Sequence, residues 1–127
     1  MRILSTRIHG MMDYAMGVLL ILSPYLFGFA TGGIKQWLPM ALGAAMIGLA
    51  LLTRYELGAV GAIPMPTHLL IDVLSGLLLA ASPWLFGFAS IVFWPHLILG
   101  LIEAGTACMT QTTPTEERGW RRHPVQR

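Results

Sequence analysis

At 127 residues, 55% hydrophobic and 11% charged, the chain is far more apolar than an ordinary soluble domain, where roughly 45–50% is apolar and about 25% charged. Water is a poor solvent for it, and no polar stretch is long enough to house a separate nucleotide-binding domain. The formal net charge of +2 reads as a topology signal before it reads as a nucleic-acid patch, so no nucleic-acid partner is expected.

Hydrophobic runs occupy 8–29, 37–53, 67–89 and 94–110. Each approaches the length of about 20 residues that spans a hydrocarbon core as a helix, so four transmembrane helices are predicted. Continuous runs rich in Leu, Ala, Met and Gly argue against the alternation of barrel strands. Arg2, Arg7 and the small-residue stretch at 28–30 resemble a secretory signal. The same apolar segment recurs inside the chain, where cleavage makes no sense, and this argues against processing. Cys108 is the sole cysteine; with no intramolecular disulfide and no CxxC pair, a thiol relay is excluded for an isolated chain.

The recurrence is close. Residues 9–30, HGMMDYAMGVLLILSPYLFGFA, and 68–89, HLLIDVLSGLLLAASPWLFGFA, agree at 12 of 22 positions. The second helices match more weakly: Trp37 with Trp94, Gly43 with Gly100, Gly48 with Gly105 and Thr53 with Thr110. A two-helix unit returns the chain to the side where it began. The expected fold is therefore all-α: two tandem parallel helical hairpins, 1–59 and 60–111, about a pseudo-twofold axis along the membrane normal, followed by a basic tail over 112–127.

Seven of the eight basic residues lie before the first helix, between the second and third, or after the fourth; Lys35 is the exception. The positive-inside rule makes the side of both termini cytoplasmic. Trp120 beside Arg121 and Arg122 suits the headgroup region of an anionic leaflet, with the lipid bilayer as partner.

The paired SPYLFGF and SPWLFGF resemble the SPW repeat family of small bacterial and archaeal membrane proteins. The likeness covers nearly the whole chain apart from the tail. The second copy carries the tripeptide as Ser82-Pro83-Trp84; the first, Ser23-Pro24-Tyr25, departs at its third position. The resemblance implies a four-helix protein of the bacterial or archaeal cytoplasmic membrane, and it brings no catalytic residues to carry over. Physically, each proline removes a donor and bends or ends its helix near the outer leaflet, and the preceding serine can bond back to a carbonyl of the previous turn. Tyr25 and Trp84 become interfacial anchors.

His9, Asp13 and Gly17, like His68, Asp72 and Gly76, repeat at spacings of four and share one helical face. Arg54, Tyr55 and Glu56 arrive at similar depth, and a cluster of His, Asp, Arg, Tyr and Glu is expected around the axis. The plainest reading is polar glue, with Arg54 neutralising a carboxylate. Three others stay open: a divalent metal held by the two His and two Asp, a b-type haem clamped between His9 and His68, and a proton or ion path. No cofactor is firmly assigned. Glu103 aligns with Met46, so the repeat does not explain it; His96 falls on a similar face, and a protonated Glu103 donating to a backbone carbonyl is the plain expectation. Gly43, Gly48, Gly100 and Gly105 give small-residue faces for packing between hairpins or in a homo-oligomer. Nucleotide-binding, serine-hydrolase and HExxH motifs do not occur. The expectation is a membrane protein of structural or accessory role, not an enzyme, with a small ion or proton-coupled carrier or channel as runner-up and a metal- or haem-binding protein third.

Overall fold

The computed structural model describes residues 2–114. Among these lie four helices, α1 Thr6–Leu26, α2 Ile34–Leu52, α3 Met65–Leu85 and α4 Trp94–Met109, and no strand beyond two isolated bridges. The expected basic tail falls almost wholly outside the described residues. Two helices, α2 and α3, are long and apolar enough to cross a membrane; α4, at 16 residues, is shorter than the usual span of about 20.

The first and third hydrophobic runs outlast their helices because apolar residues continue through the turn. Pro24 sits inside α1, which ends two residues later, and Gly28 then takes a positive φ of 75°. Pro83 and Gly87 do the same for α3. Pro24 cannot donate to the carbonyl of Leu20, four residues back. The hydroxyl of Ser23 donates to that same oxygen at 2.8 Å, and Ser82 donates to the carbonyl of Leu79 at 2.7 Å. The Ser-Pro pair thus removes a backbone donor and supplies a side-chain donor in its place. Phe29 and Phe88 turn inward after the glycines, whereas Tyr25 and Trp84 face outward.

Helix α1 packs mainly on α2, and α3 on α4. Both contacts close through glycine. A Cβ on Gly43 would stand 2.6 Å from the carbonyl oxygen of Gly17, and one on Gly100 would stand 2.4 Å from that of Gly76, so backbones touch where any side chain would part them.

The two pairs are tied at one end of the bundle. Leu4 bridges to Thr110, and Thr53 to Ile63; the amide of Leu4 donates to the carbonyl of Met109 and that of Arg54 to the carbonyl of Ile63. Each bridge sets the end of one helix against the start of another. Between them they place Thr110 beside α1 and Thr53 beside α3.

The interior carries as many polar side chains as apolar ones, and the helix exteriors are largely apolar. The interior holds Thr6, His9, Asp13, Thr53, His68, Asp72, His96, Glu103 and Thr110 together with Leu20, Met46, Leu79 and Leu99. Leu22, Leu26, Trp37, Leu74, Leu77, Ile98 and Leu101 are exposed. Scattered exposed leucines are ordinary, but buried ionisable groups beneath so many exposed large apolar side chains are not.

Candidate functional site

Helical spacing places His9 and Asp13 one turn apart on α1, and His68 and Asp72 one turn apart on α3. The facing helices interleave them into a ring. Nε2 of His9 lies 3.1 Å from Oδ1 of Asp13 and 2.9 Å from Oδ2 of Asp72; Nε2 of His68 lies 2.8 Å from Oδ2 of Asp13 and 2.9 Å from Oδ2 of Asp72. None of the four residues is more than 4% exposed. Each imidazole meets one carboxylate from its own helix and one from the other helix pair.

Two threonines complete the ring. Oγ1 of Thr110 donates to the carbonyl of Thr106 at 2.6 Å and lies 2.8 Å from Nδ1 of His9. Oγ1 of Thr53 donates to the carbonyl of Leu49 at 2.6 Å and lies 2.6 Å from Nδ1 of His68. Each hydroxyl proton is already committed, so the threonine oxygen accepts and Nδ1–H donates. Nε2 faces carboxylate oxygens and also donates. Both rings therefore show the hydrogen-bonding pattern of imidazolium, and two cations offset two carboxylates. Burial of this charge is tolerable because every member is paired and hydrogen-bonded.

The threonines cap the C-terminal ends of α4 and α2, so the six-residue site draws on all four helices or their caps. Sequence reasoning aligned Thr53 with Thr110 without assigning them to the site. The signal was their recurrence, at nearly the same offset as the histidines.

The wider cluster expected from sequence assembles only in part. Arg54 is exposed, and its Nε donates to the carbonyl of Gly61 at 3.2 Å; it neutralises neither aspartate, because the turn after α2 carries it outward. Glu56 accepts from the hydroxyl of Thr6 at 2.7 and 2.9 Å, which ties the α2–α3 loop to the start of α1. Tyr55 does approach, with its ring 5.9 Å from that of His68 and filling the space beside Gly10. Burial pushes its phenol well above its ordinary pKa, so it stays neutral.

His96 and Glu103 stand apart from one another. Nε2 of His96 donates to the carbonyl of Lys35 at 2.8 Å, and its ring lies between Phe29 and Phe88, 4.9 Å from each. The inward phenylalanines of the two SPxLFGF stretches thus close on one histidine at the end opposite the tetrad. Glu103 is buried, accepts from Ser75 on α3 through Oε1, and leaves Oε2 without a hydrogen-bond partner among the described residues. The backbone carbonyl expected as its partner is replaced by a serine hydroxyl, since α3 packs against α4 at that level.

Two grooves reach the tetrad from opposite sides of the bundle. One, of 210 Å³, is lined by Asp13, Glu103, Thr106 and the methionines Met12, Met16 and Met46. The other, of 410 Å³, is lined by Asp72, Ser75, Leu49 and Ile71 among others. The donor set of the tetrad, two imidazole nitrogens and two carboxylates, suits a divalent transition metal. A haem between His9 and His68 fits poorly, because the carboxylates of Asp13 and Asp72 fill the space between the rings.

No curated protein and no solved structure matches the chain. A family model, the SPW repeat domain, matches residues 7–110, a span that contains all six residues of the ring and both Ser-Pro pairs. The chain belongs to the SPW repeat family.

Proposed function

We propose that the chain is a multi-pass protein of the cytoplasmic membrane in which two tandem hairpins, 1–59 and 60–111, are clasped by the His–Asp ring, and that its role is structural or accessory. The observation that carries this reading is a charged, paired centre buried beneath a largely apolar exterior. In hydrocarbon an unpaired ion is costly, so pairing across the hairpins holds them together more firmly than apolar contact, which lipid offers equally well. The matching partners of His9 and His68 fit a pseudo-twofold axis along the membrane normal. The distribution of basic residues supports a cytoplasmic side for both termini.

Membrane fractionation with alkaline extraction, followed by reporter fusions after residues 33, 60, 91 and 114, tests this directly. Retention in the extracted membrane is expected, with cytoplasmic signals at 60 and 114 and external signals at 33 and 91. Release into the soluble fraction would end the membrane reading, and any other alternation would end the hairpin topology.

A second reading, a small ion or proton-coupled carrier, draws on the groove lined by Asp13 and on Oε2 of Glu103, which has no hydrogen-bond partner among the described residues. Ion flux into proteoliposomes, abolished by Asp13→Asn or Glu103→Gln, would support it; a tight bilayer with wild-type protein would remove it.

A further inference from the structure

We propose that the ring of His9, Asp13, His68 and Asp72 is a binding site for one divalent first-row transition ion, of the zinc type, at the joint between the two hairpins. The proposal rests on the clasp reading above for the placement of the site, and on three further observations for its chemistry.

The first is convergence. Four ligand atoms, one from each residue, lie within 4.8 Å of one another, and the four His–Asp separations run from 2.8 to 3.1 Å. A tetrahedron with bonds of about 2.0 Å has edges of about 3.3 Å. To admit a four-coordinate ion, the four His–Asp edges need to lengthen by a few tenths of an ångström, and the His–His and Asp–Asp edges, within 4.8 Å, need to draw in toward the same value, with Asp13 offering one of its two oxygens.

The second is orientation. A metal-ligating imidazole generally donates its remote N–H to a fixed acceptor, which sets the tautomer and aims the other nitrogen. Thr110 and Thr53 do this for His9 and His68, and each threonine is itself locked by its bond to a carbonyl in its own chain. A buried imidazolium needs these acceptors as well; for a metal they also aim the two Nε2 atoms at one point.

The third is charge and access. One divalent ion balances two carboxylates, and it displaces the Nε2 protons of the two imidazoles, which leave to solvent; the buried net charge is zero before and after. The groove beside Asp13 and Glu103 provides a route with a carboxylate on its wall. Nitrogen and oxygen ligands without thiolate favour zinc-like divalent ions over copper(I) or calcium.

The test uses the full chain carrying Cys108→Ser, which removes the exposed thiol, purified tag-free in mild detergent, stripped of metal, and dialysed against zinc or cobalt(II). One ion per chain is expected, and the cobalt form should show the intense visible absorption of a four-coordinate site. Asp72→Asn should abolish stoichiometric binding. The double variant Thr53→Val/Thr110→Val keeps every ligand and should lower affinity roughly 10- to 100-fold. Zinc that does not bind at micromolar concentration, a pale six-coordinate cobalt spectrum, or equal binding by Asp72→Asn would each overturn the proposal. If zinc does not bind while Asp72→Asn still unfolds more readily than its parent, the clasp stands without the metal. If zinc binds and Asp72→Asn is as stable as its parent without metal, the clasp reading fails and the metal site stands.

Discussion

Thr110 and His9 are separated by 101 residues, yet Oγ1 of one lies 2.8 Å from Nδ1 of the other. The contact joins the end of α4 to the start of α1, as the Thr53–His68 contact joins the end of α2 to α3. Replacing either threonine by valine conserves shape and strands a buried N–H. The loss should be about 1–3 kcal/mol per site. Reversible unfolding of the detergent-solubilised chain in mixed micelles measures it, and a change within about 0.3 kcal/mol would show that the histidines are held by the carboxylates alone.

The carboxylates carry a larger share. Asp13→Asn or Asp72→Asn leaves two imidazolium groups facing a single carboxylate in a buried site, and breaking a buried pair in this way typically costs about 3–5 kcal/mol. Coupling is the sharper readout. Because Asp13 on α1 meets His68 on α3, the double variant Asp13→Leu/His68→Leu should be markedly more stable than the sum of its single variants predicts. Additive losses would mean that the pair does not act as a unit.

Much of this site was legible in the sequence and part of it was not, for a physical reason. The spacing of His9 with Asp13 and of His68 with Asp72 follows from helix geometry, and the repeat marks both pairs. The crossed partnership, His9 with Asp72 and His68 with Asp13, depends on how α1 faces α3, which no single-helix periodicity encodes. Arg54 shows the converse. It sits at the right depth in the chain, but one turn residue past the end of α2 points it outward. The helices themselves were read closely, because their limits are written in local chemistry: the Ser-Pro pair and the glycine after it.

That Ser-Pro chemistry makes a specific claim about epistasis. Ser23→Ala leaves the buried carbonyl of Leu20 without a donor, at a cost of about 1–3 kcal/mol. In a Pro24→Ala background the backbone N–H returns to that carbonyl, and the same serine substitution should then cost well under half as much. Equal costs in both backgrounds, read from unfolding midpoints, would show that the hydroxyl does not stand in for the missing amide.

The four glycines that looked alike as small-residue faces separate into two classes. Gly43→Ala and Gly100→Ala drive a methyl into the backbone of the neighbouring helix, so each should destabilise its hairpin by 2 kcal/mol or more, on the order of an overpacked core site. A Cβ on Gly48 or Gly105 meets nothing within 4 Å. There alanine should be neutral or stabilising by up to about 1 kcal/mol through helix propensity. A strong loss at Gly48 or Gly105 confined to an oligomeric fraction on size exclusion would instead identify a contact between copies of the chain.

Glu103 breaks the correspondence between the two halves, since Met46 occupies the aligned position. Its carboxylate is buried with one oxygen lacking a hydrogen-bond partner among the described residues, and an incompletely satisfied carboxylate in an apolar wall does not favour the folded state. Glu103→Met removes that group and keeps an unbranched side chain of similar reach, and Ser75 retains the carbonyl of Asp72 as an acceptor at 3.2 Å. The variant should unfold at the same or a higher denaturant concentration than its parent. Under that outcome the carboxylate is kept at a cost in stability, which fits a group that serves the groove beside Asp13. Were the variant instead weaker by about 2 kcal/mol, the Ser75–Glu103 bond would be part of what holds α3 to α4, and the groove would lose its one asymmetric feature of interest.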